Sequence, residues 1–324
     1  MTSNLESADN DKVSVPVFIK IVQPCWLSLL WLGLLVLGAF TLMSYWPSDD
    51  YRLDIIAQFR NQYFLGSVLL CLAVGLSRRK WLSLLAVGLL LLNAREIVFI
   101  PDVEQPIEAK KQYSILSFNL YMGNRDTASV LAFIEQENPD ILYLTETVHL
   151  WQRVLEPLQK KYPYRLIRWG NIENGAALYS KYPLQALPVA VTNTVASVEL
   201  DGQGVLLIGC HPPSPRNQRF VQQRNRYLEM VGQYVGRQTG PVLVFGDFNC
   251  SPWAPEFKQF LAQSKLDLIA GSWYFKPTWP SNNPLIGVPI DHFLRKGNIR
   301  VITCSRTEAV GSDHYSIKMQ FQLE

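Results

Sequence analysis

The chain has few cysteines and little net charge, and both shortages narrow the classes of protein it can belong to. Its five cysteines are an odd number whose spacing matches no zinc-binding pattern. A net charge of +3 over 324 residues is too small to indicate nucleic-acid binding by itself. The absence of any internal repeat or low-complexity tract excludes a repeat array. Apolar residues are abundant instead, at 48% of the chain, and their excess lies in the first third.

Three apolar runs in that first third predict a membrane region. Trp26–Trp46 carries no charge, is long enough to cross a hydrocarbon core and has aromatic residues near both ends. A signal peptide is the alternative, but the run is long for one and no cleavage site follows it. Tyr63–Leu76 is shorter, so a buried or re-entrant helix competes with a full span. Trp81–Ile100 is the third run, and Arg95 and Glu96 near its end are expected to anchor it at the interface.

Charges between the runs predict the orientation of the chain. The basic loop Arg78–Lys80 lies between the second and third runs, and the positive-inside rule assigns it to the cytoplasm. We therefore expect a multi-pass protein of the inner (cell) membrane, with the bilayer as its partner and no protein partner evident. The expected segments are a cytoplasmic tail (1–22), about three transmembrane helices (23–100), a linker (101–112) and a periplasmic or extracellular catalytic domain (113–324). If the second run does not span, this orientation reverses.

From Tyr113 onward, strand-like and helix-like segments alternate, which predicts one layered α/β domain. Helices are expected at Thr127–Glu137, Arg216–Arg237 and Pro255–Gln263. The expected strands are short apolar runs: Tyr113–Phe118, Ile141–Leu144, Ala176–Tyr179, Val205–Ile208, Val242–Phe245, Ile290–Leu294, Ile299–Thr303 and Tyr315–Phe321.

Polar side chains follow many of these strands where each one ends. Asp247 and Asn249 come directly after the strand Val242–Phe245, and two residues this far apart in an extended segment point the same way. A turn would explain either residue alone. Together, however, the strand ends supply the carboxylates, amides and imidazoles that hold a hard cation and move protons. The residues of this set are Asn119, Glu146, His211, Asp247, Asn249, Asp291, Asp313 and His314.

The chain resembles the endonuclease/exonuclease/phosphatase superfamily, the deoxyribonuclease-I-like group, from Tyr113 to its C-terminus. The similarity is carried by short motifs in the family's order: Ser117–Leu120, Leu144–Glu146, Tyr179–Pro183, Gly209–Pro212, Gly246–Asn249, Ile290–Phe293 and Gly311–His314. The N-terminal helices resemble those of membrane-tethered bacterial members. The resemblance implies a four-layer αββα sandwich, preceded here by a transmembrane helical region, with the site at one edge of two packed sheets.

The resemblance also implies a role for each residue. Glu146, with Asn119 and Asp313, would hold Mg²⁺, with Mn²⁺ as the alternative. His314, oriented by Asp291, would activate water, and His211 would stabilise or protonate the leaving oxygen. Asp247 would orient the nucleophile or the metal shell, and Asn249 would hold a phosphoryl oxygen. In some members a carboxylate partners the first histidine, and Glu173 is the candidate here.

The resemblance implies a membrane-anchored, Mg²⁺-dependent phosphoric-ester hydrolase acting outside the cytoplasm. A nucleic-acid phosphodiester is slightly preferred as substrate, with a phospholipid head group as the alternative for a phosphodiesterase or phosphatase. Cys250-Ser251 and His292 depart from the inositol-phosphatase pattern. An inactive membrane-tethered binding module is the alternative of another class, but Glu146, Asp247 and His314 are all retained.

Three further groups of residues near the motifs leave alternatives open. The arginines after His211 would steer polyanions or form a solvated helix face: Arg216, Arg219, Arg224 and Arg226. The loop aromatics would stack on bases, enter lipid or lie in the core: Trp253, Trp273, Tyr274 and Trp279. Cys210 and Cys250 adjoin motif residues, and a disulfide between them would suit an external compartment.

Overall fold

The computed structural model describes residues 17–77, 79–97, 103–190, 192, 194–269 and 277–324, with side chains from residue 25 onward. Several sequence predictions fall outside these described residues. They concern the polar tail Met1–Lys12, Arg78 of the basic loop, the end of the third apolar run with Pro101, and the aromatics Trp273 and Tyr274.

Four helices form the N-terminal region: α1 (Val17–Met43), α2 (Tyr51–Gln58), α3 (Arg60–Leu76) and α4 (Lys80–Ile97). Helices α1, α3 and α4 correspond to the three predicted apolar runs. Their inner faces form a small core, and their outer faces expose large apolar side chains such as Leu32, Leu69 and Leu84. Within the described residues, only Cys25–Met43 is long and apolar enough by itself to cross a membrane, and α2 with α3 would form a second span as a bent pair.

Helix α2 occupies a segment whose charges predict a loop. Asp50 caps it, because its Oδ1 accepts a hydrogen bond from the Arg52 N–H at 2.8 Å. The helix ends at Gln58, and α3 begins two residues later at an angle of 60° to it. Three residues on one side of α2 are buried, Asp54, Ala57 and Gln58, because that side packs against the rest of the chain.

The remaining chain forms two six-stranded sheets. The first has the order β11-β12-β1-β2-β4-β3 and the second the order β5-β6-β7-β8-β10-β9. The first sheet comprises β1 (Tyr113–Asn119), β2 (Ile141–Thr145), β3 (Tyr164–Arg168), β4 (Ala176–Ser180), β11 (Ile299–Arg306) and β12 (Ile317–Leu323). The second comprises β5 (Leu184–Ala186), β6 (Thr194–Leu200), β7 (Gln203–Cys210), β8 (Val242–Asp247), β9 (Asp267–Leu268) and β10 (Asp291–Lys296).

The two sheets pack face to face and helices cover their outer faces. Tyr143, Phe245 and Phe293 belong to the apolar core between the sheets. Helices α5 (Thr127–Glu137) and α6 (His149–Val154), with a short 3₁₀ helix at Glu156–Lys160, cover the first sheet. Helices α7 (Gln218–Gly236) and α8 (Pro255–Ser264) cover the second. The predicted four-layer αββα sandwich is therefore confirmed.

Strand pairing brings the predicted polar strand ends to one edge of the sandwich. β1 and β2 run parallel with Asn119 opposite Thr145, the residue before Glu146. β7 and β8 run parallel with Cys210, the residue before His211, opposite Gly246. β10 runs antiparallel to β8 with Asp291 opposite Asp247. Carboxyl ends of parallel strands meet at one edge, and an antiparallel neighbour brings its first residue there.

The helical region and the predicted linker both make specific contacts with the sandwich. The Ser48 N–H donates to Oε1 of Glu256 at 3.0 Å, and Lys258 of α8 forms an ion pair with Glu96 of α4. In the predicted linker, the Glu104 N–H donates to the Val301 carbonyl at 2.7 Å, and its carboxylate pairs with Arg295 and Arg300. The described part of the linker is therefore held on β11.

Candidate active site

Asp247 lies at the centre of the polar cluster at this sheet edge. Its Oδ2 accepts a hydrogen bond from Nδ2 of Asn119 at 3.1 Å. The same oxygen lies 3.7 Å from Nε2 of His211 and 3.6 Å from Nε2 of His314. Its Oδ1 accepts the backbone N–H of Asn249 at 2.8 Å. Four of the other seven predicted residues therefore meet around the Asp247 carboxylate, which is itself buried.

The strand that carries Asp247 has a backbone that only glycine tolerates. Gly246 has φ +132°, and a Cβ there would lie 2.1 Å from the carbonyl oxygen of Cys210. Asn249 (φ 50°) and Glu146 (φ 56°) also lie in the left-handed region, which is unfavourable for residues other than glycine. Backbone strain of this kind clusters at functional sites, where surrounding contacts hold it in place.

His314 and Asp291 form the pair that the family resemblance implies, and both are buried. Nδ1 of His314 lies 3.0 Å from Oδ2 of Asp291, and its Nε2 faces Asp247. Burial disfavours the cationic imidazole, but the carboxylates of Asp291 and Asp247 outweigh it and raise the pKa of His314. Burial likewise raises the pKa of the Asp247 carboxyl.

Glu146 and Asn119 meet beside this cluster. Nδ2 of Asn119 donates to Oε1 of Glu146 at 3.1 Å, and the Met122 N–H donates to Oε2 at 2.7 Å. Oδ1 of Asn119 accepts the Tyr121 N–H at 3.0 Å, so Asn119 contacts both carboxylates as a donor. Burial raises the pKa of Glu146, although these two hydrogen bonds act against it. A cation beside Glu146 would stabilise its charged form.

Asp313 provides a carboxylate oxygen that is able to bind a cation. Its Oδ2 accepts the indole N–H of Trp279 at 3.0 Å, whereas its Oδ1 is buried without a hydrogen-bond partner among the described residues. An orphaned buried carboxylate oxygen is costly unless a cation or a water satisfies it. The oxygen donors of Glu146 and Asp313 therefore fit a hard divalent cation such as Mg²⁺. Asp247, Asp291 and His314 form a further group with ligand atoms within 4.8 Å of one another.

His211 lies beside Asp247, with its Nε2 3.7 Å from Oδ2 of that carboxylate. Burial lowers the pKa of His211 to about 4, and the nearby His314 contributes in the same direction. A backbone hydrogen bond with Glu173 favours the protonated form. The Glu173 carboxylate, which the resemblance suggests as the partner of His211, forms an ion pair with Arg216 instead.

A cleft of about 420 Å³ opens beside the site, and sequence reasoning missed most of its wall. Asn249, Asp313 and His314 are among its lining residues. Further lining residues come from the α2–α3 segment and from the loop before β10, namely Asp54, Ile55, Gln58, Phe59, Trp279, Val288 and Ile290. Only Ile290 of this set lies in a motif, Ile290–Phe293. The sequence also suggests Trp279 as a loop aromatic near the site, and its ring centroid lies 6.4 Å from that of His314.

The structure resolves several alternatives that the sequence leaves open. Cys210 and Cys250 are both buried and free, so they form no disulfide. Trp253 is a buried core residue, and its indole N–H donates to the Gln58 carbonyl at 2.9 Å. Arg224 is completely buried, so it neither steers a polyanion nor belongs to a solvated helix face, whereas Arg219 and Arg226 are exposed.

Comparison with known proteins agrees with this geometry. The profile of the Endonuclease/Exonuclease/phosphatase family matches residues 116–314, more than half of the chain. No curated protein matches the chain by sequence.

Solved structures of the same fold are similar at low sequence identity. The endonuclease/exonuclease/phosphatase from Beutenbergia cavernae is 18% identical with a TM-score of 0.53, over 66% of this chain and 72% of that one. The corresponding protein from Bacteroides vulgatus is 15% identical with a TM-score of 0.52, over 66% and 100%. A humanized D. rerio TDP2 is 17% identical with a TM-score of 0.50, over 65% and 99%. At these identities the similarity establishes the fold.

The fold and the acidic, amide and imidazole groups at its sheet edge define a metal-dependent hydrolase of phosphoester bonds. The chain belongs to the Endonuclease/Exonuclease/phosphatase family, whose profile covers every one of the eight predicted site residues.

Proposed function

We propose that this protein is a membrane-anchored hydrolase that cleaves phosphoesters outside the cytoplasm with the help of a divalent cation, Mg²⁺ by preference. The observation that supports it most strongly is the convergence of Asn119, His211, His314 and Asn249 on the Asp247 carboxylate at one sheet edge. Hydrolysis of a phosphoester needs neutralised oxygens and an aligned water, and this set of side chains supplies both.

Glu146 and Asp313 would hold the cation, with Asn119 orienting Glu146 through its amide. When bound, the cation would neutralise charge on the non-bridging phosphate oxygens. The orphaned Oδ1 of Asp313 is the feature that best supports this assignment.

The two histidines would act on opposite sides of the phosphate, as base and acid. Asp291 fixes the His314 ring through Nδ1. A bound cation would offset the carboxylates that raise the pKa of His314, and the neutral ring would then accept a proton from the attacking water at Nε2. His211 would stabilise the leaving oxygen, and Asp247 would align the water between the two rings. Nδ2 of Asn249, which now donates to the Pro212 carbonyl at 3.1 Å, would hold a phosphoryl oxygen.

A direct test uses the full-length protein in detergent with bis(p-nitrophenyl) phosphate. We expect hydrolysis that requires Mg²⁺ or Mn²⁺, is abolished by EDTA, and falls about a hundredfold or more in Glu146→Gln. Glu229→Gln removes an exposed carboxylate of α7 and is the matched control. Full activity of Glu146→Gln at ordinary Mg²⁺, or activity unaffected by EDTA, would contradict the proposal.

The membrane topology forms part of the proposal. Helices α1, α3 and α4 would cross the bilayer, because their outward faces carry the large apolar side chains. The basic loop that includes Arg79 and Lys80 would then lie in the cytoplasm and the sandwich outside. An alkaline phosphatase fusion after Lys110 should be active and one at Arg79 inactive. The reverse pattern would overturn this orientation.

A further inference from the structure

Helix α2 belongs to the membrane region but is tied to the catalytic loop. Oε1 of Gln58 accepts the Ser251 N–H at 2.7 Å, and the Gln58 carbonyl accepts the Trp253 indole N–H at 2.9 Å. Asp54 forms an ion pair with Arg224 in which both side chains are completely buried. The α2 segment therefore holds the loop that directly follows Asp247.

The same ion pair reaches a predicted site residue. Nη1 of Arg224 donates to Oδ2 of Asp54 and to the Asn249 carbonyl, at 3.0 and 3.1 Å. Its remaining donors bind Asp54 and Oδ1 of Asn225. All five N–H donors of the guanidinium are thus used. Removing one partner of a buried ion pair strongly destabilises a protein. The Arg224–Asp54 pair therefore holds α2 firmly in place as part of the cleft wall.

The cleft between α2 and the site is lined mainly by apolar side chains. Ile55 and Phe59 contribute from the α2 segment, and Trp279, Val288 and Ile290 contribute from the loop before β10. Ile55 and Trp279 are about 40% exposed, at 41% and 38%, although both are large and apolar. An exposed apolar surface that continues into a site with convergent polar groups is typical of a substrate pocket.

This apolar wall continues toward the hydrophobic helices. Nε2 of Gln62, in the first turn of α3, donates to the carbonyls of Leu285 and Gly287 at 3.2 and 2.8 Å. Leu285 and Ile286 are 79% and 53% exposed beside the cleft residue Val288. The apolar outer face of α3 begins at Leu65, one turn further on.

Cations suited to a nucleic-acid backbone are scarce along this cleft. Arg224 is buried and fully bonded, and Arg216 at the mouth is engaged by Glu173. A nucleic acid needs several lysine or arginine contacts to successive phosphates. The lining therefore suits a single phosphate with an apolar group attached to it.

We infer that α2 is a specificity element of the active site, and that the substrate is an amphiphilic phosphoester. Its phosphate would reach Asn249, Asp313 and His314 while its apolar chain lies along Ile55, Phe59 and Trp279. This inference rests on the proposed function and adds the substrate class and the residues that select it.

The test compares two p-nitrophenyl phosphodiesters that differ only in their second ester group, methyl or hexadecyl, with the full-length protein in detergent micelles. The leaving group is the same, so a difference in kcat/KM reports binding of the chain. We expect the hexadecyl ester to be preferred by at least about tenfold, the factor expected from burying about two methylene groups. Ile55→Ser should remove most of that preference, because it should lower kcat/KM for the hexadecyl ester far more than for the methyl ester.

Leu53→Ser is the matched control, because Leu53 lies on α2 but faces Leu42 and Trp46 of the α1 end instead of the cleft. It should keep the full preference for the hexadecyl ester. Equal hydrolysis of both esters, or equal loss in both variants, would overturn the inference while the proposed function stands. Faster cleavage of plasmid DNA than of the hexadecyl ester would also overturn it, in favour of a nuclease. No hydrolysis of any phosphoester would instead contradict the proposed function.

Discussion

Two buried ion pairs flank the same loop. They differ in whether any of their polar atoms can still bind another group or exchange a proton. At the sheet edge, His314 uses Nδ1 to contact Asp291 and presents Nε2 to Asp247. Between α2 and the sandwich, Arg224 uses every donor on Asp54, Asn249 and Asn225. The first pair retains a nitrogen that can exchange a proton, whereas the second retains nothing. The two pairs are similarly buried, but the first is suited to catalysis and the second to holding the structure together.

The largest effect on the rate should come from changing the His314–Asp291 pair, because Nε2 of His314 can exchange a proton. We expect His314→Ala to lower kcat by roughly 10²–10⁴-fold, the usual contribution of a general base. Asp291→Ala should cost less, and the double variant should be no slower than His314→Ala, since an orienting carboxylate matters only when the base is present. Steady-state kinetics of the full-length protein measure this, with exposed His149→Ala as control. Strictly additive losses would show that the two residues do not act as a pair.

Breaking the Asp54–Arg224 ion pair should reduce the free energy of unfolding more than it reduces the catalytic rate. Asp54→Ala leaves Arg224 as a buried, unpaired cation, and we expect a loss of about 3–5 kcal/mol in the free energy of unfolding in urea. The combined change Asp54→Leu with Arg224→Met should recover most of this, because no charge is left unpaired.

Asp49→Ala is the matched control for that experiment. Oδ1 of Asp49 accepts a hydrogen bond from Asn225 at 2.8 Å in an exposed position, so its loss should change stability by no more than about 0.5 kcal/mol. Equal destabilisation by Asp49→Ala and Asp54→Ala would mean that burial of the Arg224 pair is not what holds α2.

A buried histidine outside both pairs should make the sandwich sensitive to acid. Nε2 of His292 lies 2.8 Å from the Cys250 carbonyl, and burial lowers the pKa of His292 to about 4 from an ordinary 6.5. Because the unfolded chain binds this proton more readily, the contribution is complete above pH 6.5 and is lost as pH falls through 4. The loss should reach roughly 3 kcal/mol.

Urea unfolding at a series of pH values measures this contribution. His292→Gln should flatten the dependence between pH 6.5 and 4, whereas exposed His149→Gln should leave it unchanged. An identical slope in wild type and His292→Gln would assign the acid sensitivity to other groups.

The smallest effect should come from the contact that orients Asp313. Trp279→Phe removes one hydrogen bond to Oδ2 and keeps an aromatic ring in the cleft. We expect the Mg²⁺ concentration for half-maximal activity to rise roughly threefold to tenfold, in line with one net hydrogen bond. A titration of Mg²⁺ against rate measures it, and Trp253→Phe, whose indole binds α2 instead, should not shift that concentration.

Much of the fold follows from local pattern. The helix Thr127–Glu137 has the predicted bounds, and the predicted core strands agree with the structure within a few residues. Four of the described strands were not predicted: β3, β5, β6 and β9. β3 (Tyr164–Arg168) is largely exposed at an edge of its sheet, where a strand needs no apolar run, and β5 is only three residues long.

The sequence by itself indicated the sandwich, through the motifs that carry the family resemblance, and it predicted the residues of the candidate site, because strand ends and short motifs are local properties. Only the tertiary structure decided that α2 packs against the sandwich beside the candidate site. Asp54 and Arg224 are 170 positions apart, and nothing near Asp54 marks it as the buried partner of an arginine. The free state of Cys210 and Cys250 and the apolar wall of the cleft were decided in the same way. Each depends on which distant surfaces pack together, and that is set by the whole fold and not by any one segment.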